Sequence, residues 1–132
     1  MVGVVYADSS ALAKLVIEEA HSAEMHARVA GRIVVSSLIA RVEVVRAAAR
    51  QGVTAQAAAV VDDWTYVVVD AEIANLAAAV APQMLRSMDA IHVATALALA
   101  PDLEVFLTYD QRQAAAATAA GLSVEAPGRD AP

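Results

Sequence analysis

Apolar positions along the chain follow two patterns, one typical of short buried strands and the other of amphipathic helices. Short valine-rich runs favour strands, whereas apolar residues spaced three and four apart favour helices. The first pattern predicts strands at residues 2–7, 33–35, 66–69 and 105–107, with a candidate edge strand at 122–124. The second predicts helices at residues 8–19, 22–30, 38–50, 54–63, 70–81, 87–100 and 111–120.

Strands that alternate with helices pair in parallel through right-handed crossovers. The sequence therefore predicts a three-layer α/β/α sandwich with a central, mainly parallel sheet of four to five strands. We expect one domain over residues 1–125, because no linker or repeat divides the chain, and a flexible tail at residues 126–132. In the helix at residues 38–50, the expected core face consists of Leu38, Val42, Val45 and Ala49.

Composition narrows the classes of function. Hydrophobic residues make up 59% of the 132 residues, but no apolar run is long enough to span a bilayer and no signal peptide is apparent, so we expect a cytoplasmic protein. The absence of cysteine excludes disulfides and thiolate metal sites. A net charge of −6 gives no broad basic surface, so nucleic acid would be held locally, by a bound cation or by arginines. The candidate arginines are Arg41, Arg46, Arg86 and Arg112, with a plain surface role favoured for each.

Four acidic residues are predicted near one edge of the sheet. Asp8 directly follows the first strand and Asp110 follows the fourth, so both lie where parallel sheets bind ligands. Asp89 is in the first turn of its helix, where the helix dipole favours an anion. Glu43 is one turn inside an apolar and basic helix, where a lone carboxylate is costly unless it is paired or bound to metal.

Four converging carboxylates would repel one another and raise one another's pKa values unless a cation lay between them. Oxygen-only ligands favour Mg²⁺ or Mn²⁺ over Zn²⁺. Each acid also has a structural interpretation. Asp8 and Asp110 could be no more than helix caps, and Asp89 could do no more than complement a helix dipole. Glu43 could pair with a nearby arginine of its own helix.

Four segments of the chain resemble the signature motifs of PIN-domain ribonucleases. They are DSSALAKL at residues 8–15, SSLIARVEVVRA at 36–47, LRSMDAIHVATA at 85–96 and LTYD at 107–110. The resemblance covers nearly the whole chain, and the chain length is similar to that of VapC-type toxins of bacterial toxin–antitoxin pairs. In one respect the chain departs from many members of the family, since Arg112 stands where they have a further acid.

The resemblance implies both a site and an activity. Asp8, Glu43, Asp89 and Asp110 would bind Mg²⁺ or Mn²⁺, and the hydroxyl of Thr108 would lie in the active site. The chain would be an endoribonuclease toxin that inhibits translation by cleaving RNA. Its partners would be the RNA substrate, a second copy of the chain in a homodimer, and a small antitoxin with a basic residue entering the acidic site.

Two other functions stay open at this stage. One is a housekeeping RNA-processing nuclease with the same site, and the other is a PIN-like module that binds RNA or protein without cutting. The presence of all four acids disfavours the second. His92 lies one helical turn beyond Asp89, and it could hydrogen-bond that acid or touch substrate, but a packed or surface role is favoured.

Overall fold

The computed structural model describes residues 3–129. Its strands are β1 (Val4–Ala7), β2 (Ile33–Ser37), β3 (Thr65–Val67), β4 (Leu103–Leu107) and β5 (Val124–Glu125). Its α-helices are α1 (Ser9–Lys14), α2 (Ser22–Val29), α3 (Leu38–Arg50), α4 (Thr54–Val60), α5 (Ala71–Ala79), α6 (Ser87–Leu99) and α7 (Gln111–Ala119), and a 3₁₀ turn, Val61–Asp63, follows α4. The predicted start of the first strand at Val2 and the last residues of the predicted tail, 130–132, lie outside the described residues.

All five strands of the described chain belong to one sheet, in the order β3-β2-β1-β4-β5, and every neighbouring pair is parallel. The predicted parallel α/β architecture is therefore confirmed. From β1 the chain builds outward through β2 and β3, then crosses back to place β4 on the other side of β1. This reversal makes a crevice outside the carboxyl ends of β1 and β4, where open α/β sheets bind their ligands.

The two faces of the sheet are covered by different helices. Val5 and Ala7 of β1 point to one face and pack with buried residues of α1 to α4, such as Leu12 and Val44. Tyr6, which points the opposite way because side chains alternate along a strand, packs with residues of α6 and α7. Helix α5 packs against α6. These contacts give the three layers that the sequence predicted.

The predicted core face of α3 is wrong except for Val45, which is partly buried and packs against the core. The buried residues are Ala40, Val44 and Ala48, whereas Leu38 and Val42 are 43% and 59% exposed. Apart from Arg41, Glu43, Arg46 and Arg50 the helix is apolar, so both stripes satisfy the helical period. The stripe with two alanines packs inward because small side chains let a helix approach its neighbours closely.

The predicted length of the first helix is also wrong, since α1 ends at Lys14 instead of continuing to residue 19. The reason is a local competition for backbone hydrogen bonds. The Ser22 hydroxyl accepts from the Glu19 N–H at 3.0 Å and donates to the Ile17 carbonyl at 2.9 Å, which fixes this segment as a turn. Lys14 and Glu19 close the turn with an ion pair.

Candidate active site

The predicted site residues come from five elements that meet near the carboxyl edge of the sheet. Asp8 directly follows β1, and Thr108 directly follows β4. Asp110 caps the start of α7, Glu43 lies on α3, and Asp89 lies in the first turn of α6. Because β1 and β4 are neighbours in the sheet, Asp8 and Thr108 are in direct contact.

Asp8 is only 2% exposed, and neutral donors surround its carboxylate. One oxygen accepts from the Ala11 N–H at 3.0 Å and from the Ser10 hydroxyl at 2.6 Å. The other accepts from the Thr108 hydroxyl and from the Gln113 side-chain amide, each at 2.5 Å. The hydrogen bond from the Ala11 N–H is the helix cap expected if Asp8 had only a structural role. The three side-chain donors go beyond what a cap needs, and they fix the orientation of the carboxylate.

Thr108 links Asp8 to Asp110. Its hydroxyl donates to Asp8 and accepts from the Asp110 backbone N–H at 3.0 Å. Asp110 in turn caps α7 by accepting from the Gln113 N–H at 3.0 Å. Gln113 therefore contacts both acids, Asp8 through its side chain and Asp110 through its backbone.

Glu43 is held from two other helices rather than by an arginine of α3. Ser9 of α1 donates its hydroxyl to Glu43 Oε1, and His92 Nε2 of α6 lies 3.4 Å from the same oxygen. The hydrogen bond with His92 is the main cause that lowers the pKa of Glu43, and partial burial opposes it. The expectation that repulsion raises the pKa of every acid is therefore wrong for Glu43.

Asp89 and Asp110 share one basic side chain. Arg86 Nε lies 3.1 Å from Asp89 Oδ2, and Arg86 Nη2 lies 3.3 Å from Asp110 Oδ2. Burial raises the pKa of Asp89, and the hydrogen bond from Arg86 opposes this rise. Of the arginines proposed as possible phosphate contacts, Arg86 therefore lies between Asp89 and Asp110. Arg41 instead pairs with Asp62, with 2.7 Å between Arg41 Nη1 and Asp62 Oδ1.

Two polar residues of this region, Gln113 and Ser10, were not predicted from the sequence, whereas a supporting role beside Asp8 was favoured for Ser9. Gln113 is 1% exposed, whereas glutamine is usually a surface residue, so its residue type gave no signal of a buried role in the sequence. Ser9 and Ser10 lie beside Asp8, but only the fold shows which acid each serves. His92 is packed, as favoured, being 2% exposed, and its carboxylate partner is Glu43 rather than Asp89.

The residues present fit a hard divalent cation by the chemistry of their donors. The carboxylates of Asp8, Glu43, Asp89 and Asp110 and the nearby hydroxyls offer only oxygen, the ligand type of Mg²⁺ and Mn²⁺. A positive charge already lies between Asp89 and Asp110, as the guanidinium of Arg86. Within residues 3–129, however, no three acidic or histidine side chains are close enough together to form a ready-made metal cluster.

Comparison with known proteins gives the family. A model of the PIN domain matches residues 5–119, a range that includes all four acids and Thr108. The chain belongs to the PIN-domain family. It is 39% identical over 126 residues to ribonuclease VapC46 of Mycobacterium tuberculosis, covering 93% of this chain and 97% of that protein.

Two solved structures share the fold. VapC20 of Mycobacterium tuberculosis, a Sarcin-Ricin loop cleaving toxin, superposes with a TM-score of 0.66 at 17% identity, over 89% of this chain and 95% of that one. A toxin–antitoxin complex from Klebsiella pneumoniae gives a TM-score of 0.65 at 18% identity, over 83% and 88% of the two chains. In the described part of this PIN domain, no helix is long and apolar enough to cross a membrane.

Proposed function

We propose that this PIN domain is a Mg²⁺- or Mn²⁺-dependent endoribonuclease that acts in the cytoplasm as the toxin of a toxin–antitoxin pair and inhibits translation by cutting RNA. The observation that carries the proposal is the set of carboxylates gathered at the carboxyl edge of β1 and β4. A relative with 39% identity over nearly its whole length is named a ribonuclease, which supports the same chemistry here.

The four acids share one part in this proposal, and Thr108 has another. Asp8, Glu43, Asp89 and Asp110 would hold the cation, and Thr108 would keep Asp8 and Asp110 in register through its two hydrogen bonds. When bound, a divalent cation lowers the pKa of a nearby water and neutralises phosphate oxygens. The exposed side chain of Arg86, already beside Asp89 and Asp110, is available to contact the phosphate of an RNA chain.

Asp89→Asn is the variant that tests the cation site most cleanly. Asp89 has Arg86 as its hydrogen-bond partner, and the amide oxygen of asparagine can still accept that bond. Asp8→Asn is less clean, because Asp8 has donors on both oxygens and an amide nitrogen would face one of them, at a cost of about 1–3 kcal/mol of stability. We expect Asp89→Asn to reduce RNA cleavage about 100-fold or more while the fold is kept.

Asp70→Asn is the matched control. Asp70 also precedes a helix and caps it by accepting from the Ile73 N–H at 2.9 Å, but it is outside the acid set. Wild type and Asp70→Asn should cut RNA with Mg²⁺ or Mn²⁺, and EDTA should stop both. Cleavage by Asp89→Asn at the wild-type rate, or cleavage that persists in EDTA, would contradict the proposal.

The antitoxin part of the proposal rests on charge and on a structural neighbour that is a toxin–antitoxin complex. Arg86 demonstrates that a guanidinium fits between Asp89 and Asp110, so an arginine or lysine of an antitoxin could occupy the same acidic position. Expression of the chain alone should arrest growth, and co-expression of its antitoxin should relieve the arrest. An active nuclease that causes no arrest would instead favour housekeeping RNA processing.

A further inference from the structure

His92 is a buried histidine that uses both of its ring nitrogens. It lies on α6, and only 2% of it is exposed. Nδ1 is 2.7 Å from the hydroxyl oxygen of Tyr6, and Nε2 is 3.4 Å from Glu43 Oε1 and 3.3 Å from the Ser9 hydroxyl. A buried polar ring is costly unless it is hydrogen-bonded, so these contacts decide how the imidazole sits.

The contacts of Tyr6 decide which ring nitrogen carries the proton. The hydroxyl oxygen of Tyr6 accepts from the Ser37 N–H at 3.1 Å, which leaves the O–H free to donate to His92 Nδ1. The ring N–H is therefore on Nε2, which faces Glu43. The opposite tautomer would point a lone pair at a carboxylate, which is unfavourable.

We propose that His92 is a positioning residue: Tyr6 fixes its tautomer, and its Nε2–H holds the Glu43 carboxylate toward the other acids. The proposal rests on the proposed function, in which Glu43 is a cation ligand. It adds a connection across the fold, because Glu43 lies on α3 and His92 on α6, and these helices cover opposite faces of the sheet. Ser9 also helps to hold Glu43 in place, because its hydroxyl donates to the same carboxylate oxygen.

The test compares variants that keep or lose the donor. His92→Gln keeps an N–H near the position of Nε2, whereas His92→Phe keeps only the volume of the ring. We expect His92→Phe to weaken Mn²⁺ binding, measured by calorimetry, about 10–100-fold, as removal of a partner of a metal ligand does elsewhere. His92→Gln should restore much of this loss. The exposed His26 provides the control, since His26→Phe should leave Mn²⁺ affinity unchanged.

A second readout needs neither metal nor RNA. In ¹⁵N NMR spectra of the metal-free protein, the ring N–H of His92 should be found on Nε2, with Nδ1 as a hydrogen-bond acceptor, and the Nε2 signal should shift in Glu43→Gln. In Tyr6→Phe the ring should populate both tautomers. A purely structural role for His92 predicts neither the dependence on Glu43 nor the rescue by glutamine.

The outcomes separate this proposal from the proposed function. A wild-type ring protonated at Nδ1, or equal loss of Mn²⁺ affinity in His92→Gln and His92→Phe, would overturn the positioning role even in an active nuclease. Unchanged Mn²⁺ affinity in His92→Phe would do the same. If the wild type neither binds Mn²⁺ nor cuts RNA, the proposed function fails and the positioning role fails with it, while the NMR signal still decides whether His92 donates to Glu43.

Discussion

At the scale of single residues, the four acids differ in what faces them. Asp8 is enclosed by neutral donors, Glu43 is held by a serine and a histidine, and Asp89 and Asp110 share Arg86. The sequence motifs predicted these acids as a group. They could not predict their partners, because Gln113, His92 and Arg86 reach the acids only after α6 and α7 have packed on the sheet.

Arg86 should compete with a metal ion for Asp89 and Asp110. Its side chain is 73% exposed, and an exposed ion pair contributes at most about 1 kcal/mol, so we expect Arg86→Gln to tighten Mg²⁺ binding by no more than about fivefold. The measurement is a Mg²⁺ titration without RNA. Arg112→Gln is the control, since it removes the same charge from an exposed position of α7. Equal tightening in both variants would indicate a general charge effect and contradict direct competition.

At the scale of elements, the helices and strands follow the hydrophobic pattern, but the orientation of α3 does not. The chain contains two apolar stripes on this helix, and the sequence alone does not choose between them. In the folded chain the stripe of Ala40, Val44 and Ala48 packs into the core, and the larger Leu38 and Val42 remain at the surface. Helix α1 is short for a different reason, because the hydroxyl of Ser22 forms hydrogen bonds with the backbone after it. The hydrophobic period of the sequence does not indicate such bonds.

The exposed stripe of α3 is where we expect the homodimer implied by the family resemblance to form. Leu38 and Val42 offer apolar surface that a second copy of the chain could cover. Val42→Asp should therefore lower the fraction of dimer seen by light scattering across a dilution series. Met84→Asp is the control, because Met84 is 91% exposed and lines a groove against α7, in the other helical layer. A wild-type monomer at high concentration, or equal loss of dimer in both variants, would contradict this interface.

At the scale of the whole molecule, alternating strands and helices were enough to predict a parallel sheet in a three-layer sandwich. They were not enough to predict the strand order, because each crossover can place its next strand on either side of β1. That choice is what brings Asp8 and Thr108 into contact, so the central part of the candidate site depends on topology as well as on motifs. The acidity of the chain, with its net charge of −6, is compatible with RNA cleavage only because the proposed contacts are local.

The stability of the whole molecule should fall in alkaline solution, because its three tyrosines are needed in the protonated form. Burial raises the pKa of Tyr6 and Tyr66, and it raises that of Tyr109, whose hydroxyl donates to the Pro127 carbonyl, to about 12. A raised pKa means that the native state holds its proton more tightly than the unfolded chain. The stabilisation is therefore complete below the ordinary tyrosine pKa of 10.0 and is lost as pH rises through the native values.

Urea unfolding from pH 9 to pH 12 should show this decline in stability, and Tyr109→Phe should show a shallower decline. Ultraviolet spectra of the folded protein that report tyrosinate forming with a midpoint near 10 would contradict the argument.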